Sequence, residues 1–241
     1  MQPKAAINDF VIKFANVNGT GSASANGMFA KAIFRMGIPV SPRNIFPSNI
    51  QGLPTWYEVR ISQDGYLGRR GGIDMMVSVN PQSFAKDVGE VEPGGYMLYD
   101  STKPLDLRHV RRDIHYLGIP LTEMCLREYT DSRQRQLFKN VIYVGALSAL
   151  LNIDFAILKD LVSEQFKGKE KLITPNIHAL EMGHQFASTH FECPLGIHLK
   201  AGAQTPKHIQ EFDQILMDGN TATALGAVYA GATVAAWYPI T

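Results

Sequence analysis

Hydrophobic and polar positions follow two different rhythms along this chain. Residues 9–15 (DFVIKFA) are almost unbroken in apolar character and read as a short buried strand. Residues 16–26 are small, polar and glycine-containing, as a loop would be. Residues 27–36 then place Met28, Phe29, Ala32, Ile33 and Met36 at helical spacing, stopped by Gly37, and 38–47 return to strand character. Strand, loop, helix and strand in that order form a βαβ unit, whose natural setting is a parallel sheet with helices on its faces.

Further along, 56–61 alternate like a half-buried strand, and 73–79 form another strand closed by Asn80-Pro81, which opens a short helix over 83–87. Two more strands are predicted at 95–99 and 113–119. Beyond them the period lengthens to that of helices, at 131–151, 155–166 and 174–189. Residues 193–209 are rich in Pro, Gly and small polar side chains without periodicity, as expected of a linker. Residues 217–236 read as a helix rich in small residues, and 237–241 (WYPIT) as the start of a further strand or loop. A second domain cannot be completed in about thirty residues, so the sequence is expected to be part of a longer polypeptide.

Composition narrows the functional classes. Of 241 residues, 45% are hydrophobic and 19% charged, a balance that buries a core without disulfides or metal. With 23 Lys and Arg against 22 Asp and Glu, the net charge of +1 gives no reason to expect nucleic acid or an anionic membrane as partner, while small anions need only a local site. Cys125 and Cys193 lie far apart, which argues against a disulfide framework and against an iron–sulfur site within this chain, since a cluster takes about four thiolates. The N-terminus shows no apolar secretory core. The most apolar run, 141–153, falls short of the ~20 residues of a membrane span. The expected setting is a reducing cytoplasm.

Three groups of residues could carry chemistry. The loop Gly19-Thr20-Gly21-Ser22, followed at Gly27 by a third glycine, stands where a nucleotide-binding fold cradles phosphate with backbone N–H groups and a helix dipole. Its spacing, G-x-G-x5-G, displaces the third glycine of the dinucleotide fingerprint, and no acidic residue follows the second strand to hold a ribose. A tight strand-to-helix turn and a phosphate-bearing ligand such as coenzyme A both stay open. His184, His190, Cys193 and His198 are ligand types for zinc, but their spacing fits no common zinc module, and polar residues at a helix end account for them equally. Arg108, His109, Arg111 and Arg112, with Arg127, Arg133 and Arg135, could meet an anion or a partner chain. Interleaved with Asp106, Asp113, Glu128 and Asp131, they also read as a salt-bridged surface. There is no G-x-S-x-G elbow, no P-loop lysine, and no Gly-Asp-Gly run of the kind that holds thiamine pyrophosphate through magnesium.

Two stretches carry a resemblance. Asn49-Ile50-Gln51-Gly52-Leu53-Pro54-Thr55-Trp56-Tyr57-Glu58-Val59-Arg60-Ile61 is similar to the IRGGHTWYQVRV-like run in the γ domain of 2-oxoacid:ferredoxin oxidoreductases, especially where γ is fused ahead of α. Here Gln51, Gly52, Leu53 and Pro54 replace the usual Arg-Gly-Gly-His character, and the glycine loop lacks the GGQG wording of separate γ subunits. The second stretch, Gly219-Asn220-Thr221-Ala222-Thr223-Ala224-Leu225-Gly226-Ala227-Val228-Tyr229-Ala230-Gly231 running to Trp237-Tyr238-Pro239-Ile240-Thr241, resembles the opening of the family's α domain, GN-x-A-x-A-LGA-x2-AG into YPITPSS.

This resemblance implies an α/β fold: a Rossmann-like γ domain with a mostly parallel sheet over 1–192, a linker over 193–216, and the start of a thiamine-enzyme pyrimidine-type domain over 217–241. It implies a heteromeric enzyme with a β subunit, which decarboxylates a 2-oxoacid (2-oxoglutarate favoured, pyruvate open) and forms acyl-coenzyme A with electrons passed to ferredoxin or flavodoxin. The complete complex would use thiamine pyrophosphate, Mg2+, 4Fe–4S clusters and coenzyme A. This chain alone would hold no catalytic or metal-binding residue and none of those cofactors. In the family the YPITP loop lies against substrate, which points to Tyr238, Pro239 and Ile240 as substrate-binding and to Thr241 as hydrogen-bonding the 2-oxoacid. Gly19, Gly21 and Ser22 would be the coenzyme A phosphate contact. The competing reading is a free-standing nucleotide- or coenzyme A-binding Rossmann-like module.

Overall fold

The computed structural model describes residues 2–46, 52–202 and 215–236. The chain divides into two compact units, Met1–Pro206 and Lys207–Thr241.

The first unit is organised by β2 (Asp9–Val17), which lies inside a six-stranded sheet and is buried on both faces. Because side chains alternate along a strand, Phe10, Ile12 and Phe14 enter one core while Val11 and Ala15 enter another. A residue in such a position has no solvent face, which explains the unbroken apolar run in the sequence. The remaining strands are β3 (Val40–Ile45), β4 (Pro54–Ser62), β5 (Ile73–Ser78), β6 (Val91–Asp100) and β7 (His115–Ile119), in the order β3-β4-β2-β5-β6-β7. From β2 to β7 every pairing is parallel, whereas β4 runs antiparallel to both of its neighbours.

That arrangement refines the expected βαβ unit. The strand after the first helix does not pair with β2, because β4 inserts between the two, matching Val40 with Ile61 on one side and Phe10 with Ile61 on the other. The strand over 56–61, expected to be half-buried, is buried nearly throughout as β4, since it is covered on both faces. Helix α1 (Ser22–Arg35) starts five residues earlier than its apolar spacing predicts. Asn26, polar and therefore assigned to the loop, is 1% exposed and is held by buried hydrogen bonds that its neighbours in sequence do not reveal.

Helices α1, α3 (Leu121–Glu128), α4 (Ser132–Leu150), α5 (Phe155–Gln165) and α6 (Ile173–His190) enclose the larger core, and α2 (Phe84–Glu90) packs through Phe84 and Val88 on the other. α3, with only Leu121 and Cys125 buried, is too short to give a periodic signal. Asp131 caps α4 by accepting from the Gln134 N–H at 2.8 Å, and Asp154 caps α5 by accepting from Ala156 at 2.9 Å. A small parallel pair, β1 (Ala6–Ile7) with β8 (Ile197–His198), closes the unit. Backbone bonds from Leu195 to Leu150 and from Leu199 to Leu151 anchor the segment around β8 on α4's end.

α4 and α6 approach each other closely. A Cβ added at Gly145 would lie 2.0 Å from the Leu180 carbonyl oxygen, and one at Gly183 would lie 1.9 Å from that of Ile142. The two glycines face the opposite helix's backbone reciprocally, so neither helix can carry a side chain at the crossing. From Asn140 to Leu150 every residue of α4 is buried, as expected of a helix enclosed on all sides.

In the second unit, Asp218 caps α7 (Gly219–Tyr229) by accepting from the Thr221 N–H at 2.9 Å. The helix ends at Tyr229, short of the expected 236, with Gly231 following at a left-handed φ of 91°. Residues 237–241, and with them Tyr238, Pro239, Ile240 and Thr241, lie outside the described residues. Among the described residues no helix is long and apolar enough to cross a membrane.

Replacing Gly183 by Ala should destabilise the fold by about 1–3 kcal/mol, because a backbone carbonyl must move. Gly27→Ala, at a helical position with nothing within 4 Å, should instead add about 0.5–1 kcal/mol. Equilibrium denaturation of the two variants checks both signs.

Candidate functional site

The glycine loop shapes a cleft of about 250 Å3 at the C-terminal end of β2, lined by Asn16, Asn18, Gly19, Gly21, Ser22 and Asn44 among others. Gly19 and Gly21 adopt φ of 84° and 78°, a left-handed conformation that brings the chain sharply from β2 into α1. Gly21 is also confined, since a Cβ there would lie 2.4 Å from Leu137 of α4.

Beneath the loop three side chains form a closed hydrogen-bonded ring. The Tyr143 hydroxyl donates to Asn26 Oδ1 at 2.6 Å, Asn26 Nδ2 donates to Asn16 Oδ1 at 2.9 Å, and Asn16 Nδ2 donates back to the Tyr143 oxygen at 3.4 Å. All three residues are buried, and burial holds the Tyr143 phenol far above its ordinary range. Asn80 at the end of β5 donates to the Asn16 carbonyl at 3.1 Å, and Asn140 of α4 donates to the Thr20 carbonyl at 2.9 Å. The loop is therefore tied to β5 and α4 as well as to its own strand and helix. None of Asn16, Asn26, Asn80 or Tyr143 stands out in the sequence, because isolated polar residues in apolar surroundings gain meaning only when folding brings them together.

Among the described residues no acidic or basic side chain lines this cleft. The first turn of α1 carries no acidic residue, and its N–H groups bear the positive end of the helix dipole. The site therefore favours a negatively charged group held by neutral donors.

On the opposite face, Trp56 closes the cleft and sends its indole N–H to Asp87 Oδ1 at 2.8 Å. Lys86 and Lys13 lie over the Trp56 ring, at 4.2 and 5.6 Å from its centre, and Lys13 pairs with Glu90. Asp87 is fully buried and also accepts from Ser78 at 3.1 Å and Ser83 at 2.7 Å. Burial pushes its carboxyl above the usual range, opposed by the bonds from Trp56, Ser83 and Ser78 and reinforced by the charge of Glu90.

Most of the other sequence candidates are occupied locally, Arg112 and Arg133 excepted among the described residues. His184 Nδ1 lies 2.7 Å from Ser148 Oγ, which itself donates to the Gly145 carbonyl at 2.6 Å, so the shared proton belongs to the imidazole. His190 and His198 each meet a main-chain carbonyl, of Phe186 and Leu195, and the Cys193 thiol donates to that of Ala187. Among the described residues no group of three or more His, Cys, Asp or Glu is placed to hold a metal. Arg108 chelates Asp106, Arg127 pairs with Glu123, and Arg111 pairs with Asp113 while also donating to the carbonyls of Val88 and Val91. That last set pins the α2–β6 connection.

Comparison with known proteins gives the fold a relationship. The sequence profile described as pyruvate ferredoxin/flavodoxin oxidoreductase matches residues 11–186. Subunit alpha of 2-oxoacid:ferredoxin oxidoreductase 2 from Aeropyrum pernix is 24% identical over 270 residues, covering 97% of this chain and 41% of that protein. The chain thus spans about two fifths of the length of that relative. Among solved structures, 2-oxoglutarate:ferredoxin oxidoreductase from Magnetococcus marinus, determined with 2-oxoglutarate, coenzyme A and succinyl-CoA bound, superposes with a TM-score of 0.79 at 25% identity, covering 93% of this chain and 37% of that one. Pyruvate oxidoreductase subunit PORC from Thermotoga maritima matches at TM-score 0.59 and 21% identity over 74% of this chain and 96% of its own, a likeness of fold.

Asp87 generates a pH-dependent expectation. Its carboxyl binds a proton more tightly folded than unfolded, so its contribution to stability is lost as pH rises from the ordinary carboxylate range through the raised folded value. Denaturation curves of the wild-type protein and of Asp87→Asn between pH 4 and 7 should differ in slope, the wild type losing more stability with rising pH. Parallel slopes would remove Asp87 as the source.

Proposed function

The chain belongs to the pyruvate ferredoxin/flavodoxin oxidoreductase family, and from that premise we propose that it is the N-terminal part of the α subunit of a 2-oxoacid:ferredoxin or flavodoxin oxidoreductase, with 2-oxoglutarate as the favoured substrate. The observation that carries this reading is the likeness to the 2-oxoglutarate enzyme of Magnetococcus marinus, which extends over 93% of this chain. In this reading 1–192 form a γ-type domain, 193–216 a linker and 217–241 the opening of the α domain, within a cytoplasmic hetero-oligomer containing a β subunit.

The reaction oxidises a 2-oxoacid with loss of carbon dioxide, transfers the acyl group to the coenzyme A sulfur and passes two electrons to ferredoxin or flavodoxin. Thiamine pyrophosphate with Mg2+ supplies the carbanion for decarboxylation and 4Fe–4S clusters carry the electrons, but this chain's residues fit neither group. Its two thiols are a buried Cys125 and a Cys193 engaged with Ala187, too few for a cluster, and it has no Gly-Asp-Gly run for the diphosphate. Those cofactors belong to the partner subunit and to the rest of α.

What this chain contributes is positioning. The loop at Gly19, Gly21 and Ser22 suits one phosphate of coenzyme A: among the described residues its lining carries no charged side chain, the N-terminus of α1 faces it, and ~250 Å3 is below the range that encloses a whole nucleotide. Thr241 has a hydroxyl able to donate to the carboxylate or carbonyl oxygen of the 2-oxoacid, and Tyr238, Pro239 and Ile240 would complete the substrate-binding set.

The complex of full-length α with its β partner should reduce a viologen dye with a 2-oxoacid only when coenzyme A is supplied, and faster with 2-oxoglutarate than with pyruvate. A complex that contains thiamine and clusters yet reduces nothing with any 2-oxoacid would leave this chain a γ-like fold in another role. Thr241→Ala should lower kcat/KM for the 2-oxoacid by about 1–3 kcal/mol of lost hydrogen bonding, and unchanged kinetics would remove it from the substrate site. Gly21→Val, strained at φ 78° and pressed on Leu137, should perturb folding or raise the KM for coenzyme A, and wild-type stability with wild-type affinity would refute the loop's role.

A further inference from the structure

A second cleft, larger than the glycine-loop site at about 610 Å3, lies at the C-terminal ends of the parallel strands β5 and β6, between α2 and the loop that leaves β6. Its volume falls within the range of small-molecule sites, and the carboxyl ends of parallel strands are where open α/β sheets place ligands. No residue of the 2-oxoacid or coenzyme A reading contributes to it.

The chemistry of its walls is uneven in a way that defines a ligand. Phe84 from α2 and Tyr99 from β6 offer ring surfaces, while the side chains of Asn80 and Thr102 are engaged within the protein. The ionisable groups lining the cleft are Asp100, Asp106, Lys103, Lys139 and His109. Both acids are already committed. Asp100 accepts from the N–H and hydroxyl of Thr102, from those of Thr122 and from Lys139 at 3.0 Å, and its carboxyl is held below the usual range: burial would raise it, but these donors together prevail. Asp106 is chelated by Arg108, with His109 Nδ1 3.6 Å away. The N–H groups that open α3 are likewise taken, Thr122 by Asp100 and Glu123 by the Thr102 hydroxyl. Among the described residues Lys103, exposed at the rim, has no hydrogen-bond or ion-pair partner. With the carboxylates neutralised from within, Lys103 leaves a net attraction for an anion beside an aromatic floor.

We propose that this cleft is a second ligand site, specific for a nucleoside phosphate, with the base between Phe84 and Tyr99 and the phosphate met by Lys103. A planar aromatic base suits the ring surfaces better than an aliphatic acid does, and a phosphate supplies the charge that Lys103 meets. Bound there, the ligand would bridge α2 and the 102–106 loop, two elements joined to different strands.

Adenosine 5′-monophosphate is the probe, tested by calorimetry on the full-length protein in the complex it forms. It should bind about tenfold or more tightly than adenosine or inorganic phosphate, since each of those lacks one half of the recognition. Lys103→Met, at an exposed residue without partners, should weaken the monophosphate severalfold and leave adenosine unchanged. Ala85→Trp, placing a bulky ring at an exposed wall position, should abolish binding while preserving the fold. Saturating coenzyme A should leave the monophosphate bound. Equal binding of phosphate or of adenosine, indifference to both variants, displacement by coenzyme A, or no binding at millimolar monophosphate would each overturn the proposal.

Discussion

The crossing of α4 and α6 at Gly145 and Gly183 sets the depth at which α4 sits, and most of the polar architecture hangs from that helix. Close packing of backbone on backbone leaves no freedom to slide, because a shift of even one methyl group meets a carbonyl oxygen. From that fixed axis Tyr143 reaches Asn26 and Asn16, Asn140 holds the Thr20 carbonyl, and Lys139 pairs with Asp100. The same helix also carries Leu137 against Gly21 and Ser148 against His184. The glycine-loop cleft and the larger one therefore both depend on side chains of one helix, whose own position is fixed by its crossing with α6.

The sheet adds a second constraint. Its two faces are sealed differently: one by an extended apolar core under α1, α4 and α6, the other by a smaller core around Val11, Met76 and Met97 with charged neighbours. On that smaller face Trp56 is held by Asp87, and Asp87 also takes the hydroxyl of Ser78 at the end of β5. Trp56 borders the glycine-loop cleft and Ser78 the larger one, so a single buried carboxylate joins the walls of both. This gives the first unit two clefts of different character: among the described residues one is lined without charged side chains and shaped by backbone, the other carries Phe84, Tyr99 and Lys103.

The order of the main strands and helices was legible in the sequence because burial on both faces of β2 and all round α4 leaves continuous apolar runs that few other arrangements explain. The TWYEVR and GNTATALGA runs carried the family likeness directly. What was not readable depended on partners far away in the chain. α1 begins at Ser22 because Asn26, ordinary loop material by composition, is satisfied by Tyr143 117 positions later. β3 is separated from β2 because β4, a later segment, pairs with both. α3 has only two buried side chains, and its first turn is held by Asp100 from β6, 22 positions before Thr122.

The sequence by itself determined the fold class, the run of elements and the family likeness, since each follows from local periodicity or from contiguous motifs. Only the tertiary structure decided which polar residues act together. The Asn16–Asn26–Tyr143 ring, the Asp87 acceptor, the reciprocal glycines of α4 and α6 and the cleft beside Lys103 are all built from residues distant in the chain. Their energetics come from excluded water and close backbone approach, and neither exists until the separate segments pack.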